Sequence, residues 1–169
     1  MSRLSNRLIA RVFTAFPWLA RRAAASVVPM SYETTPWTPL KKPLSECRVS
    51  LATTAGVHMR GESPFNMADT TGDPTFRVIP AAATTGEIMI THDYYDHRDA
   101  DRDVNVVFPL DRLREFAAGG RVGGVASRHY GFMGHILENQ IDRFVDREIP
   151  RVAAMMKDDG VDVALITPG

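Results

Sequence analysis

A helical periodicity, a glycine and an apolar run follow one another in residues 137–167, and this succession constrains the fold more than any other feature. Apolar side chains first recur at helical spacing over about five turns, which predicts an amphipathic helix. Pro150 lies inside that stretch, so either the helix kinks there or a second helix begins there with proline in its first turn. Gly160 is typical of a helix end, and residues 161–167 predict a strand that is buried on both faces.

This order of elements predicts the α/β class, and specifically a partial doubly wound (Rossmann/flavodoxin-like) domain. In open α/β sheets, ligands bind at the carboxyl ends of the strands, and the next helix covers the face of the sheet. Only Pro168 and Gly169 follow the last predicted strand. We therefore expect an incomplete domain whose last strand lacks a covering layer, and an isolated chain that is poorly soluble or oligomeric.

Shorter elements are predicted upstream of this unit. Residues 48–54 form a β-type run that ends at Ala55-Gly56, and further extended pieces are expected at 76–79 and 88–90, whereas the rest of 57–86 is mostly irregular. A helix is predicted over 111–118, where Gly119-Gly120 ends it. Residues 122–126 are too rich in glycine to predict a strand.

The amino-terminal region has its own charge pattern. Five arginines and no acid precede Glu33, and apolar residues recur beside the arginines at helical spacing. The sequence therefore predicts an amphipathic helical segment at 1–30, a proline-rich linker at 31–46 and an incomplete α/β domain at 47–169. Such a helix either docks on its own domain or on a partner subunit, or has a weak membrane or targeting role.

Composition narrows the class of protein. The chain carries 20 basic and 20 acidic residues, and this balance argues against a dominant attraction to nucleic acid or to an anionic membrane. One cysteine allows no internal disulfide, which favours a reducing, cytoplasmic location. That residue, Cys47, is expected to be a buried structural cysteine at the start of the first strand. No apolar run reaches the ~18 residues that a membrane span needs.

Small residues end the first predicted strand and form the first candidate binding site. Thr54 and Gly56 lie where backbone amides can approach a ligand closely. His58, two residues further on, could contribute an acid, a base or a hydrogen bond. We therefore expect these three residues to contact substrate.

Residues 91–105 contain the densest group of histidine, acidic and basic side chains in the chain. His92 and His97 alternate with acids and could bind a divalent metal. A calcium loop is not expected, because Val104 occupies its glycine position and Leu110 stands where the bidentate glutamate belongs. A solvated loop with local ion pairs and a loop that orients substrate or a partner both remain open. The candidate substrate-binding residues of this segment are His92, Tyr95, Asp96, His97 and Asn105.

Residues 127–135 precede the long helix. Gly131 and Gly134 permit close backbone approach, and the start of a helix can hold an anion. The segment lacks the GxxxxGK spacing of a phosphate loop, so nucleotide binding is not expected. A substrate pocket and a structural elbow are equally compatible with it.

Four ordered blocks, at residues 53–58, 73–80, 92–113 and 160–168, resemble the selenoprotein B family. The likeness runs from about residue 36 to the end of the chain. That family supplies the selenol subunit of glycine, sarcosine, betaine and D-proline reductases. The last block resembles the segment that leads into the family's selenocysteine-x-x-cysteine motif.

The resemblance implies an oxidoreductase with a disulfide as acceptor. A selenolate would attack an activated α-carbon and break a C–N bond, and a cysteine or another thiol or selenol carrier would resolve the selenium adduct. In several such systems a pyruvoyl-bearing partner activates the amine as a Schiff base. Selenocysteine is then expected immediately after Gly169, and this chain contains no catalytic residue. A UGA codon read as a stop would leave a 169-residue product that is inactive alone.

Three hypotheses follow. The first is the amino-terminal part of a selenol-dependent reductase subunit that works in an oligomer with partner subunits on a small amine or amino-acid substrate. The second is a non-catalytic binding or assembly module that docks a partner through its amino-terminal helix. The third is a metal-binding α/β domain that uses His92 and His97.

Overall fold

The computed structural model describes residues 3–25, 34 and 38–169, and it is a mixed α/β protein. The helices are α1 (Arg3–Ala15), α2 (Pro17–Ala24), α3 (Arg98–Arg102), α4 (Leu110–Ala118), α5 (Asn139–Arg143) and α6 (Ile149–Asp158). The strands are β1 (Arg48–Thr53), β2 (Val57–Met59), β3 (Arg77–Pro80), β4 (Ile88–Ile90), β5 (Gly124–Val125), β6 (Arg128–Gly131) and β7 (Val163–Thr167).

Strand β1 is the centre of the main sheet. It pairs in parallel with β7 on one side and with β5 and β6 on the other. Strand β3 joins the outer edge of β6 in the antiparallel direction, and β2 and β4 form a separate antiparallel pair. The sheet is therefore mixed, and the predicted α/β class is confirmed.

The two faces of the sheet bury separate apolar clusters. On one face, Leu51 and Ile79 are fully buried with Phe108 and Leu113, which come from α4 and the segment before it. On the other face, Tyr130 packs in the cluster that contains Val152 of α6. Both layers cover the middle of the sheet around β1.

Strand β7 is less well covered than the rest of the sheet. Leu165 is 44% exposed and Ile166, which points to the opposite face, is 68% exposed. Among the described strands, β7 pairs only with β1. The expected burial of this strand on both faces is therefore not observed, whereas an incomplete domain and low solubility of the chain stay predictions.

The long carboxyl-terminal periodicity is divided into three helical pieces. A π-helical turn at Phe144–Glu148 separates α5 from α6, and Pro150 lies in the first turn of α6. The backbone stays helical through both junctions, with Arg143 and Glu148 in the right-handed α region, so Pro150 lies in a continuous helical stretch that is widened just before it. The wide turn changes the helical register between the two pieces.

Several boundaries differ from the sequence expectations. The glycine-rich residues 122–126, for which no strand was predicted, contain β5, because two backbone positions beside β1 suffice for a bridge. Residues 57–86, expected to be mostly irregular, contain β2. Residues 127–135 contain β6, whose four residues pair with β3 and of which two also pair with β1. Tertiary pairing, not local pattern, creates these short strands.

The amino-terminal segment forms two helices that meet at Pro17, which opens α2. Part of the predicted proline-rich linker, residues 31–33 and 35–37, lies outside the described residues. A short 3-10 turn at Leu44–Glu46 leads into β1, where Cys47 is completely buried and donates to the Pro43 carbonyl at 3.3 Å. None of the helices in the described part of the chain is long and apolar enough to span a bilayer.

Candidate functional site

The carboxyl ends of three neighbouring strands meet at one edge of the main sheet. In the register of the sheet, Thr53 at the end of β1 lies beside Gly131 of β6 and Thr167 of β7. The next residue, Thr54, continues this contact, because its N–H donates to the Thr167 carbonyl at 3.1 Å. Its hydroxyl oxygen accepts the Gly169 N–H at 3.2 Å. Thr54 therefore holds the segment that leaves β7 against the end of β1.

Gly56 brings the 91–105 segment to the same edge. Its φ of 73° lies in the left-handed region, and a Cβ atom there would stand 2.5 Å from the Thr91 carbonyl oxygen. The Thr91 N–H donates to the Gly56 carbonyl at 2.9 Å. This close backbone contact places His92, the following residue, beside the end of β1.

His92 lies between the backbone of its own loop and the turn after β6. The side chain is almost completely buried, with 3% of its surface exposed. Its Nδ1 is 3.1 Å from the Tyr94 backbone nitrogen, and its Nε2 is 3.3 Å from that of Gly134. A Cβ atom on Gly134 would lie 3.1 Å from the Thr54 carbonyl oxygen and 3.5 Å from His92 Nε2. Thr54, His92 and Gly134 thus form one compact cluster.

Burial sets the protonation state of His92. It lowers the pKa of the imidazole to about 4, with further lowering by the positive charges of His135 and His97. The ring is therefore neutral at pH 7, with one N–H and one lone pair. Two backbone N–H groups face the ring but only one ring nitrogen can accept, so a donor is left over beside Gly134 or Tyr94.

Aromatic rings surround this histidine. The Tyr95 ring lies edge-on at 4.9 Å from His92, and its hydroxyl donates to the Ala55 carbonyl at 3.1 Å. Burial raises the pKa of the Tyr95 hydroxyl, so it stays protonated. Tyr94 stacks on His135 at 3.7 Å, which joins the loop to the turn after β6.

Asp96 and His97 follow on the same loop but are engaged locally. The side-chain hydrogen bond from Arg98 lowers the pKa of Asp96 to about 2, and the two charged groups are 2.6 Å apart. His97 Nδ1 lies 2.8 Å from the Asp101 carboxylate. Both side chains line a cavity of about 120 Å³ that also contacts α1.

His58 and Asn105, two other predicted site residues, use their polar atoms in hydrogen bonds within the protein. His58 is buried, with Nδ1 2.9 Å from the Met59 carbonyl and Nε2 2.9 Å from the Thr91 hydroxyl. Asn105 accepts the Asp111 N–H at 3.1 Å and donates to the carboxylates of Asp103 and Asp111. It therefore ties the start of α4 to the preceding turn.

The metal hypothesis finds no support in this geometry. Within residues 3–25, 34 and 38–169, there is no group of three or more His, Cys, Asp or Glu side chains that could hold a metal ion. His92 meets backbone amides and aromatic rings, and His97 meets Asp101.

Gly134 and Asp93 also lie near this edge, although sequence pattern did not predict either as a site residue. Gly134 was recognised only as a position of close approach, and its contact with Thr54 and His92 is long-range. Asp93 is buried at 1% exposure and pairs with Arg3 and Arg7 of α1. A run of arginines without neighbouring acids predicts an acidic partner elsewhere in the chain, but it does not identify which aspartate or glutamate forms the ion pair.

Comparisons with known proteins agree with the blocks described above. Residues 24–169 match the family described as Glycine/sarcosine/betaine reductase selenoprotein B (GRDB). The chain is 39% identical to the D-proline reductase subunit gamma of Acetoanaerobium sticklandii over 133 residues, which cover 79% of this chain and 53% of that relative. It thus spans about half the length of the curated relative that it matches. No solved structure matches the chain. The chain belongs to the selenoprotein B family of glycine, sarcosine and betaine reductases.

Proposed function

We propose that this chain forms the amino-terminal part of a selenol-dependent reductase subunit that cleaves a C–N bond of an amino-acid-type substrate. The observation that carries the proposal is the cluster of Thr54, His92 and Gly134 at the carboxyl edge of the sheet, next to the segment that leaves β7. Family membership makes this subunit a part of a reductase. In α/β sheets this edge is where ligands bind.

The reactive group is expected directly after Gly169. A selenocysteine at that position would follow the end of β7 and precede the next helix of a complete doubly wound domain. The amides at the start of that helix would stabilise the selenolate, since the amino end of a helix carries partial positive charge. Thr54 would fix the approach to this position through its contact with the Gly169 N–H.

The residues of this chain would bind and orient the substrate. The surplus donor that the neutral His92 ring leaves, beside Gly134 or Tyr94, suits a carboxylate oxygen, which accepts such hydrogen bonds strongly. Burial of His92 keeps its ring neutral, so it would act as a hydrogen-bond donor rather than as a general acid. Tyr95 would hold the end of β1 in place through the Ala55 carbonyl.

The proposed reaction balances in three steps. The selenolate attacks the α-carbon, a C–Se bond forms, and the C–N electron pair leaves with the nitrogen, which takes up a proton. A thiolate then attacks selenium, and the carbon takes the C–Se electron pair and a proton. The resulting selenenyl sulfide is reduced by a dithiol, which becomes a disulfide.

The rest of the assembly is also part of the proposal. We propose a cytoplasmic oligomer in which a thiol or selenol carrier supplies electrons. A pyruvoyl group on a partner subunit would activate the amine, and no residue of this chain is assigned to that group. The curated relative is named as a subunit of D-proline reductase, which fits a partnered enzyme.

Activity measurements on the full reading frame test the proposal. The protein, purified with its partners, is assayed for dithiol-dependent consumption of D-proline, glycine, sarcosine and betaine. We expect His92→Phe to lower kcat/KM about 100-fold, the cost of one buried hydrogen bond to a charged group. The matched control His58→Phe removes a buried histidine whose hydrogen bonds stay within the protein, and its main effect is on stability. Equal losses of activity per folded molecule in the two variants contradict the assignment.

A further inference from the structure

Helix α1 docks on the protein through its charged side. The guanidinium groups of Arg3 and Arg7 both pair with Asp93, whose side chain is 1% exposed, and the Arg7 contact is 2.7 Å long. Ala10, on the same side of the helix, is buried. Amphipathic helices normally place their apolar stripe against the core. Here the polar side is the docked one.

The apolar side of α1 consequently faces outward, together with the start of α2. Leu4 is 79% exposed, and Leu8 and Trp18 are each 63% exposed. The other large apolar side chains of this outward surface, here called the amino-terminal ridge, are Ile9, Val12, Phe13 and Phe16. Large exposed apolar side chains at helical spacing are typical of an interaction site.

Charge is distributed unevenly between the ridge and the rest of the chain. The first 32 residues carry five arginines and no acid, so the remaining residues carry 15 basic against 20 acidic side chains. The chain is neutral as a whole, but its two parts have charges of +5 and −5. Arg11, Arg21 and Arg22 are exposed on the helices that bear the ridge. An anionic surface would therefore attract this end and repel the other.

This combination favours a lipid surface over a second copy. Two ridges packed on each other would bring arginines together, and no acid in residues 1–32 could pair with them. A helix is convex, and acyl chains accept a convex apolar ridge without a shaped groove. Leu, Phe and Trp on one side with arginine on the other is the composition of helices that lie in a membrane interface.

We propose that the amino-terminal ridge binds the surface of an anionic lipid bilayer and holds the protein there peripherally. Residues 1–23 lie outside the region that matches the family, so the apolar side chains of the ridge are not part of the segment shared with it. The ion pairs with Asp93 keep α1 attached to the domain while its apolar side enters the interface. Trp18 would lie at the level of the headgroups.

Vesicle co-sedimentation of the full chain tests the proposal. We expect binding to phosphatidylcholine vesicles that contain phosphatidylglycerol and much weaker binding to phosphatidylcholine alone. Arg21→Gln with Arg22→Gln should weaken binding about 25-fold, since each arginine near an anionic surface contributes roughly five-fold. Leu8→Asp should weaken it by at least about ten-fold, because one leucine then stays out of the apolar layer.

Val106→Asp is the matched control, because Val106 is also 63% exposed but lies far along the chain, next to α4. This variant should bind vesicles as the parent chain does. Equal binding to neutral and anionic vesicles, or equal loss in the two Asp variants, overturns the proposal. The proposal is also overturned if the chain does not bind vesicles and instead self-associates or binds an acidic protein through the ridge.

Discussion

The substitution Gly56→Ala probes the close backbone contact that positions His92. Two penalties are expected in the free energy of unfolding. An alanine in the left-handed region costs about 1–2 kcal/mol, and the φ of Gly56 is 73°. The new Cβ would also stand 2.5 Å from the Thr91 carbonyl oxygen, so the backbone must shift. Overpacking of this kind costs about 1–3 kcal/mol, which gives a total of roughly 2–5 kcal/mol.

Gly120→Ala separates the two penalties. Gly120 has a φ of 69°, nearly the same as Gly56, but a Cβ atom added there would have no other heavy atom within 4 Å apart from its own residue and chain neighbours. This variant should therefore lose only about 1–2 kcal/mol. The comparison between the two glycines isolates the steric contact with Thr91.

Urea unfolding followed by circular dichroism measures both losses. With a slope of about 2 kcal/mol per molar, the midpoint of Gly56→Ala should fall below that of Gly120→Ala by roughly 0.5–1.5 M. Equal midpoints for the two variants would mean that the 91–105 segment does not press against the end of β1. The geometry derived for His92 would then be wrong.

Further predictions concern pH, the edge strand and α1. Burial lowers the pKa values of His92 and His129 from 6.5 to about 4, so their contribution to stability is complete above pH 6.5 and is lost as the pH falls toward 4. Urea titrations across this range should show the free energy of unfolding falling with pH. A free energy that does not change with pH would contradict the burial of both rings. Ile166→Lys should reduce self-association of the isolated chain, measured by sedimentation velocity, without loss of stability, because the Ile166 side chain is 68% exposed. An unchanged sedimentation profile would show that β7 does not cause the self-association. Asp93→Asn should speed proteolysis within α1, whereas Asp99→Asn, at a side chain that is 82% exposed, should not.

The sequence predicted the elements that have strong local patterns. The strand at Arg48–Thr53, the helix at Leu110–Ala118 and the strand at Val163–Thr167 lie within two residues of the expected positions, because alternation, helical spacing and terminal glycines define them locally. Strands β2, β5 and β6 were not predicted, since two to four residues carry little pattern and are fixed only by their neighbours.

The same division holds for the candidate site. Thr54, Gly56, His92 and Tyr95 are joined by contacts in the structure, and their binding of substrate stays a prediction. His58 and Asn105 instead use their polar atoms for the fold. Sequence alone does not distinguish a buried histidine that supports a strand from one that belongs to a candidate site, because the difference lies in long-range contacts and not in the residue type.

The codon that follows Gly169, together with the residue it yields in the full-length protein, decides whether a selenol belongs at this edge of the sheet. Mass spectrometry of the peptide spanning the end of β7, from cells supplied with selenium, should find selenocysteine immediately after Gly169 and a cysteine three positions later. A UAA or UAG codon at that position, or a peptide without selenium or a thiol there, would contradict the proposed selenol chemistry at this edge of the sheet.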